Sequence, residues 1–116
     1  MTLREIKEIL QAQVLAGEEF LDRQPSCACG SDLLSDVLAF TKENSVLLTG
    51  LTNPQVIRTA EMSDIIGIIF VRGKKPDNYT VELATIKKIP LLATHLPMYE
   101  SCGKLYLQGL KGCSEV

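Results

Sequence analysis

Between Ser26 and Leu107 an apolar, strand-like segment followed by a helix-like one recurs four times. This recurrence constrains the fold more than any other feature. The strand-like segments are Ser26–Gly30 (SCACG), Ser45–Thr49 (SVLLT), Ile65–Val71 (IIGIIFV) and Pro90–Thr94 (PLLAT). The helical segments that follow them are Asp32–Lys42, Pro54–Ser63, Asn78–Lys88 and Met98–Leu107. Strand starts fall about every 20 residues, enough for a strand, a crossover helix and a return. The middle strands are continuously apolar rather than alternating, which is the pattern of strands covered on both faces of a parallel sheet. Right-handed crossovers then lay helices over the sheet, giving a layered α/β fold with a mainly parallel sheet flanked by helices. The pattern leaves strand order unassigned and leaves room for an antiparallel edge strand.

The helix starts agree with this frame. Leu3, Ile6, Ile9 and Leu10 repeat at helical spacing, with Arg4, Glu5, Lys7 and Glu8 on the other side. Thr2 is the expected N-cap, with Glu5 completing a capping box. Gly17 reads as a stop signal, and Val14–Ala16 as a short strand before the polar stretch 17–25. Asn53-Pro54 predicts a sharp helix start, because Asn caps free N–H groups and Pro at the first position has none to satisfy. Ser31-Asp32 is expected to cap the preceding helix. Pro76-Asp77-Asn78 is turn chemistry before the third crossover helix.

A chain of 116 residues is the size of one domain, too short for two well-filled cores. Residues 1–110 are expected to form that domain, with 111–116 (KGCSEV) a loose tail. The net charge is −2 and the basic residues are scattered, so a nucleic-acid backbone is not the expected partner. The longest aliphatic run, Ile65–Val71, is far below the roughly 20 residues needed to span a membrane. The start, MTLREIKEIL, mixes charges into an apolar pattern unlike a secretory signal. The expectation is therefore a cytoplasmic protein whose four cysteines are reduced thiols.

In an open α/β sheet, ligands bind outside the carboxyl ends of the strands. Parallel strands would bring four loops to that rim: Gly30-Ser31-Asp32, Thr49 to Asn53, Arg72 to Lys75, and Thr94 to Pro97. The residues expected to bind a ligand there are Thr49, Gly50, Thr52, Asn53, Arg72, Gly73, Lys74, Thr94 and His95. Small and hydroxyl side chains, a basic cluster and the N–H groups at a helix start suit a small anionic or nucleotide-like ligand. The competing reading is that glycines and caps merely make the turns and the basic residues form a solvated loop.

Catalytic signatures fail. Gly67 to Lys75 (GIIFVRGKK) echoes a phosphate-binding loop, but five residues intervene instead of four and no Ser or Thr follows the lysine. There is no G-x-G-x-x-G. His95 is the only histidine, with no named nucleophile or orienting partner, and reads as a rim or packing residue. Cys27 and Cys29 would share one face of a strand. With a third ligand they could hold a metal, but C-x-C without a second clustered pair is a weak signal, and free cysteine is a common buried apolar residue. No catalytic residue, metal or cofactor is assigned. The apolar helix faces (Leu34, Val37, Leu38; Val56, Ile57, Ala60) read as core. High aliphatic content in a small chain is compatible with a homodimer.

The opening helix, VLAGEEFLDR, SVLLTG with NPQVIRTA, IFVRGKKPD and IPLLAT together resemble the DRTGG domain, over roughly Leu3 to Leu107. Their order and spacing carry the match. The resemblance implies a fold shared with the N-terminal domain of HPr kinase/phosphorylase. In that family DRTGG domains sit between CBS modules of regulated pyrophosphatases or beside phosphotransacetylases, as regulatory or dimer-forming modules. Small stand-alone members accompany iron hydrogenase components. The name motif departs here: Gly50 is followed by Leu51-Thr52 rather than Asp-Arg, and Arg72-Gly73-Lys74 stands where Thr-Gly-Gly is expected. Gly50 and Gly73 carry over. The expected function is a non-catalytic, dimer-forming regulatory module that senses a small ligand. The alternative is an interaction module docking on a partner enzyme, with a hydrogenase-related redox complex as the candidate. An HPr kinase-like phosphotransferase ranks last, for want of a phosphate loop.

Overall fold

The computed structural model describes residues 1–116. Five helices, α1 (Leu3–Leu10), α2 (Leu34–Phe40), α3 (Pro54–Met62), α4 (Asn78–Ile86) and α5 (Met98–Leu107), enclose five strands. The strands are β1 (Gln13–Ala16), β2 (Cys27–Gly30), β3 (Ser45–Thr49), β4 (Ile65–Phe70) and β5 (Leu91–Ala93). Single 3-10 turns occupy Glu18–Phe20 and Cys113–Glu115. The sheet order is β1-β5-β4-β3-β2. All pairs are parallel except β1 with β5, so the antiparallel edge left open by the sequence is real.

From β2 to β5 the chain steps across the sheet in one direction. Three successive right-handed crossovers therefore place α2, α3 and α4 on the same face. Their apolar sides, Val37, Val56, Ile57, Ala60 and Ala84, pack on Leu47, Ile68, Phe70, Leu91 and Ala93. The alternate strand residues, Val46, Leu48, Ile69 and Leu92, face the other way and meet Leu3, Ile6 and Leu10 of α1 and Leu105 of α5. Each fully buried aliphatic side chain contributes roughly 1.5–3 kcal/mol of burial free energy. This two-sided burial is why β3 reads SVLLT without alternation: all five residues are buried.

The loop from β1 to β2 is tied to the start of α1 and to the amino ends of β4 and β5. Leu3 and Arg4 N–H groups donate to the carbonyls of Arg23 and Leu21. The Arg23 guanidinium donates to the carbonyls of Ile66 and Lys88, at 3.2 and 2.9 Å, and lies over the Phe20 ring.

Several local expectations shift. The Thr2–Glu5 capping box forms as read. However, α1 stops at Leu10 through Gln11 in the left-handed region (φ 50°), well before Gly17. The helix after β2 begins at Leu34, not Asp32. The Ser31 hydroxyl accepts the Leu33 N–H, while Asp32 points elsewhere. Asn53 occupies the cap position of α3 without a side-chain capping bond.

The tail is not loose. The Ala28 N–H donates to the Lys111 carbonyl at 2.9 Å, and Gly112 bridges to Ala28 in parallel fashion. Cys113 is buried and disulfide-bonded to Cys27. The expectation of four free thiols is thereby corrected to two, Cys29 and Cys102. The pairing was not visible in the sequence, because it joins residues 86 apart that meet only when the tail runs along β2.

Candidate functional site

The carboxyl ends of β2, β3, β4 and β5 lie along one edge, and backbone bonds stitch their loops together. The Ser31 N–H donates to Leu48, Val71 to Thr49, Gly73 to Thr94 and Arg72 to Leu96, all at 2.9–3.0 Å. The four rim loops expected from the sequence are thus adjacent in space. At their centre stands Asp32. One carboxylate oxygen accepts the Gly50 N–H at 2.6 Å and the Thr49 hydroxyl at 3.2 Å. The other accepts from the Arg72 guanidinium at 3.1 Å. The Gly50 N–H chiefly holds the Asp32 carboxyl below the ordinary aspartate range, helped by Arg72 and Thr49 and opposed by partial burial.

The Arg72 guanidinium packs close to the Gly50 backbone: a Cβ there would overlap it, so a larger residue at position 50 would push the end of the Arg72 side chain away. Arg72 itself is in the left-handed region (φ 60°), and Gly73 follows at φ 70°. The other non-glycine residues with positive φ, Gln11, Asn44, Asp64 and Lys88, all sit in helix-to-strand turns. Arg72 alone takes this conformation in a strand-to-helix loop. Left-handed geometry costs a non-glycine residue roughly 1–2 kcal/mol, and such strain clusters where a side chain must be aimed.

The remaining expected residues divide into two groups. Arg72, Gly73, Lys74, His95 and Asn53 are exposed, and Thr52 is half-buried. A Cβ on Gly73 would lie 4.0 Å from His95 Nδ1, so the imidazole flanks the basic loop. Lys75 is drawn aside to Gln13, at 2.9 Å. Thr49 and Thr94 are buried, and their hydroxyls are already paired within the chain. Thr49 Oγ1 donates to Asp32 and accepts the Leu51 N–H. Thr94 Oγ1 donates to the Leu10 carbonyl at 2.7 Å and accepts the Leu96 N–H. These two threonines build the rim rather than face outward from it.

Asp32 is the residue that sequence reasoning missed. An Asp just before a helix is ordinarily a cap, and its true partners lie 18 and 40 residues away. The available signal was that Asp32 closes a loop already placed on the rim.

The rim is open rather than recessed. Doubly wound sheets form a crevice where the strand order reverses. Here the order from β2 to β5 never reverses. The larger concavities lie elsewhere: about 720 Å³ along α5 between Tyr99 and Leu107, about 300 Å³ at the amino end of β4, and about 170 Å³ beneath the tail. The α5 groove is apolar, and Tyr99 and Leu107 beside it are 85% and 86% exposed. No three His, Cys, Asp or Glu side chains gather as metal ligands. No helix is long and apolar enough to cross a membrane.

No curated protein matches the chain. Among solved structures, the CBS and DRTGG domains of the regulatory region of Clostridium perfringens pyrophosphatase, complexed with the activator diadenosine tetraphosphate, align with a TM-score of 0.75. Identity is 18%, and the alignment covers 97% of this chain but 49% of that one. The chain therefore spans about half of that region's length, and the likeness is one of fold. The sequence model of the DRTGG domain matches residues 5–106, from α1 through nearly all of α5. With most of its length inside that match, the chain belongs to the DRTGG domain family.

Proposed function

We propose that this chain is a non-catalytic regulatory module that senses a small anionic or nucleotide ligand at the rim and works as a homodimer. The observation that carries the reading is Arg72. It is held in a strained conformation over Gly50 by Asp32, with Lys74 and His95 exposed beside it. Asp32 acts as a resident anion. A ligand phosphate offers the same chemistry to the Gly50 N–H and the Arg72 guanidinium, so it competes with the carboxylate and shifts the β2–α2 loop that bears it. That displacement is the sensing event. The pyrophosphatase regulatory region, whose activator is a dinucleotide, makes nucleotides the first probes.

A thermal-shift panel of nucleotides, pyrophosphate and phosphate tests the reading. A true ligand at 100 times its dissociation constant adds about 2.7 kcal/mol of stability. The double variant Arg72→Ala, Lys74→Ala abolishes the shift. No shift with any probe would overturn the sensor reading.

The α5 face supports a second reading. Tyr99, Tyr106 and Leu107 project from it, 85%, 57% and 86% exposed. In the first reading a second copy covers this face; in the second, a partner enzyme does, a redox enzyme being the candidate. Sedimentation of the isolated chain separates them: a dimer favours the first, and a monomer that ignores the ligand panel favours the second. Phosphotransfer ranks below both, and incubation with ATP and candidate acceptor proteins tests it directly.

A further inference from the structure

The tail and its disulfide stand outside the rim and outside any role assigned above. Strand β2 is the outer strand of the sheet, four residues long, and its free edge would expose unpaired backbone groups. The chain's own C-terminus covers it. Ala28 bonds to Lys111, Gly112 bridges to Ala28, and Cys113 is bonded to Cys27 with Cα atoms 4.9 Å apart, inside the range that a disulfide spans without moving the backbone. Beneath the tail lies the cavity of about 170 Å³, lined by Ala28, Gly30, Leu48 and Leu105, with Leu110 and Gly112 at the tail side.

Besides the disulfide, the cover is held by the Ala28–Lys111 bond, by buried Leu110 and by the Lys42 ammonium, which donates to the Val116 carbonyl. Its 3-10 turn is three residues long. Ser114, Glu115 and Val116 are exposed, and the Tyr106 hydroxyl donates to Glu115 at the surface. The cross-link is the one covalent element of a contact otherwise made of a few hydrogen bonds and two buried side chains. Two further thiols stand nearby. Cys29 lies two residues from Cys27 on the same strand, and the Cys102 sulfur lies over Gly30, where a Cβ would come within 2.8 Å of it. Burial raises the pKa of both thiols, with Cys102 and Asp36 adding to the effect at Cys29. Half-buried and with raised pKa values, they are poor nucleophiles toward the Cys27–Cys113 bond.

We propose that Cys27 and Cys113 form a redox latch. Oxidised, it clamps the tail along β2 and roofs the cavity. Reduced, it lets the tail peel away, uncovering the β2 edge. Closing the latch, two thiols lose two protons and two electrons and form one S–S bond; a small-molecule disulfide accepts the electrons and is cleaved to two thiols. Opening runs in reverse, with a dithiol reductant that ends as its own disulfide.

The test uses the full chain, equilibrated with glutathione disulfide or with dithiothreitol. In the oxidised sample, denaturation and alkylation should label Cys29 and Cys102 only, and a non-reducing peptide map should show Cys27 joined to Cys113. On reduction, hydrogen exchange at the Ala28 amide and across 110–116 should rise about tenfold or more, with β3 and β4 unchanged. Cys113→Ser should show the fast exchange without reductant, and Cys102→Ser the slow exchange of the oxidised wild type. Four labelled thiols after oxidation, a different pairing, or equal Ala28 exchange in both states would overturn the proposal.

Discussion

Replacing Asp32 with alanine removes the hub of the rim. The carboxylate accepts two hydrogen bonds from the β3 loop and forms an ion pair with Arg72. Bonds to a charged acceptor contribute about 1.5–3 kcal/mol when buried. Here the Asp32 side chain is 43% exposed and that of Arg72 41%, so water screens the pair and replaces part of what is lost. The expected destabilisation is about 1–2 kcal/mol, or roughly 4–8 °C in Tm for a domain of this size. Its pH dependence has a definite sign. The folded-state pKa is depressed below the unfolded value of about 3.9. The contribution is therefore fully present at neutral pH, begins to fade near the unfolded pKa, and is lost as pH falls through the folded one. Urea unfolding of wild type and variant across that range measures it. Equal stabilities at neutral pH, or a gap that persists below the folded pKa, would refute the assignment of Asp32 as the hub.

Other consequences follow from single contacts. Gly17 has φ 75°, and a Cβ there would come within 2.6 Å of Pro90 Cα, so Gly17→Ala should cost about 2–4 kcal/mol by denaturant midpoint. Thr94→Val strips the Leu10 carbonyl of its buried donor and the Leu96 N–H of its acceptor, with an expected loss of about 1–3 kcal/mol in the same assay. Leu107→Glu lies on the exposed α5 face, so monomer stability should change by less than about 0.5 kcal/mol. Sedimentation should nevertheless show the proposed dimer dissociating; a dimer left intact would move the interface off α5.

The layered architecture was legible because burial on both sides writes itself into consecutive residues. Ser45–Thr49 and Met98–Leu107 coincide with their expected bounds. The losses were where a residue answers to a distant partner. Asp32 was read as a local cap, and nothing near it in sequence reveals Gly50 or Arg72 as its targets. Gln11 ends α1 in a left-handed turn without the glycine that usually marks one. The one-directional strand order, which leaves the rim shallow, is a property of pairing and not of any strand's own composition. The tail looked loose because its polar residues have no periodicity; what orders it is a neighbouring strand edge and a thiol 86 residues away. The candidate site was half legible. Its loops and basic residues were named, while the acidic residue that organises them was placed on a rim loop but read as a cap.

Titration of isotope-labelled protein with diadenosine tetraphosphate, then ADP and phosphate, while following backbone amide resonances, tests the central claim most directly. A rim sensor predicts that the amides of Gly50, Leu51, Arg72 and Gly73 move first, together with those of the Asp32 loop as the carboxylate is displaced. Resonance shifts confined to α5, or none with any of the three, would contradict it.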